Sequence, residues 1–119
     1  MATEAKSRPL PAIAIEPHQW EELSAILQTH LPGRRIWAFG SRATGQRLRR
    51  FSDLDLAVGG EEMPLELLDA LREALDESRL PFKVDIVDLA TVTPEFRARI
   101  EPEMVLLQGR GVALRTEAQ

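Results

Sequence analysis

The sequence predicts an α/β domain built on a small sheet. Segments with apolar residues at helical spacing alternate with short apolar runs, in the order helix, strand, helix, strand, helix, strand, helix. The chain has 119 residues, of which 44 % are apolar, enough for one domain with one modest core. Two of the apolar runs carry aspartates in their interior, and aspartate is depleted in strands unless something requires it there.

In chain order, residues 1–16 form an N-terminal arm, polar and disordered to residue 8 and then extended from Pro9 to Ile15 as an edge strand or a surface strap. Residues 17–114 form the domain, and residues 115–119 a frayed tail. Pro17 opens a helix in which Trp20, Leu23, Ile26, Leu27 and Leu31 recur on one face, and Pro32-Gly33 stops it. Ile36 to Phe39 reads as a buried strand ending at Gly40, and Ser41 is placed to cap a short helix running to about Gly45. Residues 46–51 form a loop with Arg47, Arg49 and Arg50, and Asp53 to Val58 is the second strand, stopped by Gly59-Gly60. Pro64 opens the longest helix, with a core stripe of Leu65, Leu68, Leu71 and Leu75, closed by Leu80-Pro81. Phe82 to Leu89 is the third strand. Thr93-Pro94 starts a helix with Phe96 and Ile100 as core contacts, Pro102 ends it, and Met104 to Leu107 is a short strand or packing segment before a Gly109-Arg110-Gly111 turn.

Composition removes several classes of function. The net charge of −4 and pI near 5.2 argue against a dedicated nucleic-acid binder, whose footprint is basic. With no cysteine, disulfides, thiolate nucleophiles and zinc–cysteine sites are impossible. The N-terminal stretch is interrupted by proline and does not read as a signal peptide, and no apolar run approaches membrane-spanning length. The expectation is a soluble cytoplasmic domain.

The chemistry concentrates in two places. Successive side chains of a strand alternate between faces, so Asp53 and Asp55 share one face and Leu54, Leu56 and Val58 the other. Two adjacent carboxylates repel, and a divalent cation between them removes that cost. Carboxylate oxygens suit magnesium, which is commonly held by a few carboxylates together with substrate phosphates. A further acid stands on the third strand: Asp85, interior and with apolar neighbours, is preferred over Asp88 on the opposite face. Gly40 and Ser41, at a strand-to-helix turn, suit a phosphate, because glycine permits close backbone approach and a helix start offers free N–H groups. Arg42 directly follows and is the expected triphosphate contact, whereas Arg47, Arg49 and Arg50 read as solvated loop residues. His18 and His30 read as surface or rim residues and Trp20 and Trp37 as core.

Taken together, Phe39-Gly40-Ser41-Arg42-Ala43-Thr44-Gly45, then Ser52-Asp53-Leu54-Asp55-Leu56-Ala57-Val58, then Val84-Asp85-Ile86-Val87 resembles the polymerase-β-like nucleotidyltransferase superfamily. Within it the chain is similar to the minimal nucleotidyltransferase antitoxins of HEPN/MNT toxin–antitoxin pairs, over roughly residues 17–107. The eleven residues between Ser41 and Asp53 are one more than is typical of those antitoxins. The resemblance implies a small mixed β-sheet flanked by helices. It implies a nucleotide site at Gly40, Ser41 and Arg42, and catalytic, magnesium-binding carboxylates at Asp53, Asp55 and Asp85. It also implies transfer of AMP from ATP to a tyrosine hydroxyl of a cognate HEPN-type toxin, forming a hetero-oligomer with that toxin. This chain contains no tyrosine, so a tyrosine acceptor lies on another molecule. Two other readings stand beside this one. One is a small-molecule, aminoglycoside-type nucleotidyltransferase whose second substrate domain comes from a partner chain. The other is a non-catalytic antitoxin that blocks its toxin by binding.

Overall fold

A computed structural model describes residues 10–109 of the chain. Four strands and four helices follow in the order α1 (Pro17–His30), β1 (Ile36–Phe39), α2 (Ser41–Thr44), β2 (Leu54–Val58), α3 (Leu65–Asp76), β3 (Val84–Asp88), α4 (Pro94–Ile100) and β4 (Val105–Gln108). A single 3-10 turn, Glu101–Glu103, joins α4 to β4. The strands form one mixed sheet in the order β3-β2-β1-β4. β1 runs antiparallel to both of its neighbours, and β2 and β3 are parallel, as the connection through α3 requires.

The two faces of the sheet bury different partners. Ile36, Ala38, Leu54, Leu56 and Val58 point to one side, where α1 contributes Trp20, Leu23 and Leu27 and α3 contributes Leu71 and Leu75. Phe39 and Ala57 point to the other, where they meet Ile100 and Phe96 of α4. The ring of Phe96 meets that of Phe39 edge-on, at 6.2 Å between centroids. The period-two alternation of β2 thus sends its leucines to the large core and its aspartate to the α4 side.

Local chemistry sets the helix ends. Pro17 supplies the first residue of α1, where the missing N–H costs nothing, and Glu16 N donates to Gln19 Oε1 at 3.0 Å. Thr93 caps α4, its Oγ1 accepting from Phe96 N at 3.1 Å. At α2 the cap residue is Gly40, not Ser41 as the sequence suggested. Ser41 is the first helical residue, and the amides of Ala43 and Thr44 donate to Gly40 O at 3.0 and 2.9 Å.

Several boundaries differ from the sequence expectation. The described residues before α1, 10–16, make one isolated bridge at Pro11 and no strand, yet they bury Ile13 and Ile15 against the main core. α3 ends at Asp76, short of Leu80, because Leu80 packs on the core from the following irregular segment. Leu65, expected in the α3 core stripe, is the first residue of the helix and is 68 % exposed, and contact with the core begins at Leu67 and Leu68. β2 starts at Leu54, so Asp53 is the residue entering the strand. The segment Met104 to Leu107 resolves into β4, paired with β1. The start expected to be disordered, the part of the expected Gly109-Arg110-Gly111 turn beyond Gly109, and the expected frayed tail lie outside the described residues.

Candidate active site

The site is assembled at the end of the sheet where β1 finishes and β2 and β3 begin. In the β2–β3 register Asp55 stands directly opposite Asp85. Directly opposed residues of neighbouring strands share a face, and the strands lie about 4.8 Å apart. Asp55 is also opposite Phe39 across the β1–β2 pair, which brings the residue after Phe39, Gly40, beside it. Gly40 has φ +81°, and a methyl group on its Cα would overlap Asp55 Oδ2. Glycine is therefore needed twice here, for its conformation and for its bareness. Asp53 precedes the strand and is exposed.

The electrostatics of Asp55 record this crowding. Burial, then the charges of Asp85, Asp53 and Glu103, push its carboxyl up from 3.8 to about 6. The strain is the kind a cation relieves, and hard carboxylate oxygens are the donor set magnesium takes. As arranged, no three of the acidic or histidine side chains among the described residues converge closely enough to enclose an ion. The residues suit a divalent cation by their chemistry and by placement on one face, and closing around one requires their side chains to draw together. Asp85 also carries an ion pair with Lys83, at 3.6 Å, with the Asp85 side chain 42 % exposed.

Asp88, the alternative third acid, is committed elsewhere. Its Oδ2 accepts from Met63 N at 2.8 Å and its Oδ1 from Ala90 N at 3.0 Å, so it organises the turns at the far end of β3. His18 is exposed, and His30 Nδ1 lies 3.0 Å from Ile26 O in its own helix. Trp20 is core, whereas Trp37 is only partly buried beneath Arg35, 5.3 Å from its ring centroid.

Arg42 departs from the expectation of a triphosphate contact. Its side chain is 7 % exposed and turns away from the phosphate turn. Its Nε donates to Ser52 O at 2.7 Å, Nη1 to Ala14 O at 2.9 Å and Nη2 to Arg50 O at 3.0 Å, while the guanidinium lies 4.1 Å from the centroid of Phe82. Burial lowers its pKa from the ordinary arginine value, and Asp53 opposes that shift. A planar fork with five donors can hold three carbonyls and a ring at once. Arg42 thereby ties the arm, the arginine loop and the entry to β2 together, holding the carbonyl of Ser52 just before Asp53. A cleft of about 830 Å³ opens beside it, walled by Ile13, Ile15, Leu48 and Phe51, and none of the three aspartates lines it.

One acid escaped the sequence reading. Glu103, in the 3-10 turn, accepts from Gly40 N at 2.9 Å. It lies 63 positions from its partner, and Pro102 beside it reads only as a helix stop.

A glycine turn closes one strand and acids stand on the next two, and comparison with known proteins gives the family to which this arrangement belongs. Residues 21–110 match the family model described as polymerase beta, nucleotidyltransferase. The chain belongs to this nucleotidyltransferase family. A probable protein adenylyltransferase MntA of Haemophilus influenzae is 46 % identical over 93 residues, covering 74 % of this chain and 80 % of the relative. Among solved structures, a toxin–antitoxin complex with AMP-PNP matches at 26 % identity and a TM-score of 0.57, covering 77 % of this chain and 74 % of the other. A mutant MntA–HepT complex shares the fold, with a TM-score of 0.63 at 23 % identity over 77 % of this chain and 74 % of the other. No helix among the described residues is long and apolar enough to cross a membrane.

Proposed function

We propose that this nucleotidyltransferase is the magnesium-dependent adenylyltransferase antitoxin of a toxin–antitoxin pair, acting in the cytoplasm. It transfers AMP from ATP to a hydroxyl, a tyrosine, of a cognate HEPN-type toxin with which it assembles. The observation that carries this reading is the opposition of Asp55 and Asp85 across β2 and β3 beside the Gly40-Ser41 turn. The 46 % identity to a probable protein adenylyltransferase supports the reaction class, and the toxin–antitoxin complex with AMP-PNP supports both the nucleotide and the kind of partner.

In this reading Asp53, Asp55 and Asp85 hold the cation, which when bound neutralises the charge of the carboxylates and the triphosphate. Gly40 and Ser41 receive the phosphates at the backbone of the turn. The amides of Ser41 and Arg42 precede the first intrahelical bonds of α2 and so are open to an anion. The acceptor oxygen attacks the α-phosphorus of ATP, the bond from that phosphorus to the bridging oxygen breaks, and pyrophosphate leaves. Asp85, half exposed and reachable from outside the sheet, takes the hydroxyl proton. Most of the acceleration comes from positioning and charge neutralisation. The chain has no tyrosine, so it is not its own tyrosine substrate.

The test is to incubate the chain with ATP, magnesium and the product of the neighbouring reading frame, and to weigh that product by mass spectrometry. One or more added AMP units are expected with the parent chain and none with the Asp53→Asn, Asp55→Asn double variant. A bound but unmodified partner overturns the reading.

A further inference from the structure

The end of β1 is gripped at three consecutive residues by the segment running from α4 to β4. Ala38 pairs with Val105 of β4, the Phe39 ring meets Phe96 of α4, and Gly40 N donates to Glu103 Oε1 at 2.9 Å. The third contact falls on the residue that opens the phosphate turn. Gly40 lies between two peptide planes that are both held. Glu103 holds the plane carrying its N–H, and Ala43 N and Thr44 N hold the plane carrying its carbonyl. Its Cα, meanwhile, lies against Asp55 Oδ2. A glycine has no side chain to fix its torsions, so a φ of +81° must be imposed from outside. An ionised carboxylate on a backbone amide is a strong way to impose it.

The cost of placing Glu103 there is visible. Its charge is one of those that push the Asp55 carboxyl up, so a fourth negative group has been brought toward three acids that already repel. Glu101, two residues earlier, spends its carboxylate on Arg97 Nε at 3.1 Å, outside the site. Of the two glutamates of the 3-10 turn, only Glu103 is directed at the turn.

We propose that Glu103 is a positioning residue for the nucleotide, fixing the Gly40 amide and with it the orientation of the turn that receives the ATP phosphates. It acts through Gly40 and touches no reacting atom, and the assignment rests on the nucleotide site proposed above. Its removal loosens the turn before nucleotide binds, so the effect falls on ATP affinity more than on the chemical step. Gln at this position keeps an oxygen acceptor for the Gly40 N–H while removing the charge, which separates hydrogen bonding from electrostatics.

The experiment compares the parent chain with Glu103→Ala and Glu103→Gln, in full-length chain, by AMP transfer to the partner at varied ATP and by the exchange rate of the Gly40 amide in ¹⁵N-labelled protein. For E103A, the KM for ATP is expected to rise about tenfold with kcat within about threefold, the scale of one lost charge-assisted hydrogen bond. E103Q is expected to stay within about threefold of the parent in both. The Gly40 amide is expected to exchange slowly in the parent and in E103Q and quickly in E103A. An E103A chain with parental KM, a loss confined to kcat, or an E103Q as impaired as E103A overturns the proposal. If the parent transfers no AMP, the function proposed above fails, and the Gly40 amide decides the pinning alone: equal exchange in parent and E103A overturns it. Thermal melting of each variant separates a folding defect from a local one, because E103Q retains the contact in a folded chain.

Discussion

Gly40 presents its bare Cα to the carboxylate of Asp55, so closely that a methyl group there would overlap Oδ2. The Gly40-Ser41 turn and the central acid are therefore parts of one packed unit, in which bulk added at Gly40 falls on Asp55. Gly40→Ala meets both that overlap and a φ of +81°. It is expected to cost about 1–3 kcal/mol of stability and to abolish AMP transfer. Denaturant unfolding and a transfer assay check this, and an alanine variant that unfolds with the parent would show that the contact relaxes freely.

Asp55 makes stability depend on pH in a defined direction. Its carboxyl titrates near 3.8 when unfolded and at about 6 in the fold. Below pH 4 both states hold the proton and the site costs nothing. Between about pH 4 and 6 the unfolded chain releases its proton first, so the fold loses stability as pH rises, and above pH 6 the whole cost is present. For this half-buried, solvent-screened group the cost is about 1–2 kcal/mol. Asp55→Asn is expected to melt higher than the parent at pH 8 without divalent cations, with the gap closing near pH 4. Magnesium is expected to raise the melting temperature of the parent at pH 8 and to leave that of Asp55→Asn nearly unchanged.

The two acids of β3 have separable duties. Asp85→Asn is expected to lower transfer by at least about a hundredfold while leaving stability within about 0.5 kcal/mol. Asp88→Ala removes the acceptor for Met63 N and Ala90 N and is expected to cost about 1–2 kcal/mol while keeping transfer within a few fold. Parallel melting and kinetic measurements on the two variants decide it, and the opposite pattern would make Asp88 the functional acid.

Arg42 is a structural clamp, and its variants report that. Arg42→Lys keeps the charge but cannot hold three carbonyls and lie on Phe82 at once. About 2–4 kcal/mol of destabilisation is expected, with a loss of affinity for ATP no larger than the unfolding explains. A fully stable Arg42→Lys with weakened ATP binding would return the residue to the phosphates.

The elements read correctly from sequence are those that local rules determine. Pro17 and Thr93-Pro94 start their helices where capping chemistry puts them, and Ile36 to Phe39 is bounded by turn residues on both sides. The acids could be placed on one face because the strand period leaves no other arrangement. What local rules do not contain is the third dimension around a side chain. Arg42, directly after Gly40-Ser41, looks like a ligand until the arm and the loop close over it, and Leu65 fits the helical stripe but is the exposed first residue of α3, ahead of the core contacts at Leu67 and Leu68. Glu103 carried no signal, since its partner is a backbone amide 63 residues away.

The order in which the chain is made has a consequence for β1. It is an interior strand, but one of its two neighbours, β4, is the last of the described strands to be synthesised. Gln108 at the end of β4 also closes the start of β1, donating to Leu31 O at 2.8 Å and Arg34 O at 3.0 Å. Until those residues leave the ribosome, β1 has an open edge, the sort of surface that invites pairing with another chain. The Gly40 amide waits equally long for its carboxylate. Nascent chains stalled before residue 103 therefore hold every aspartate of the site without the frame that aligns it, and the ability to handle nucleotide should arise abruptly, late in translation.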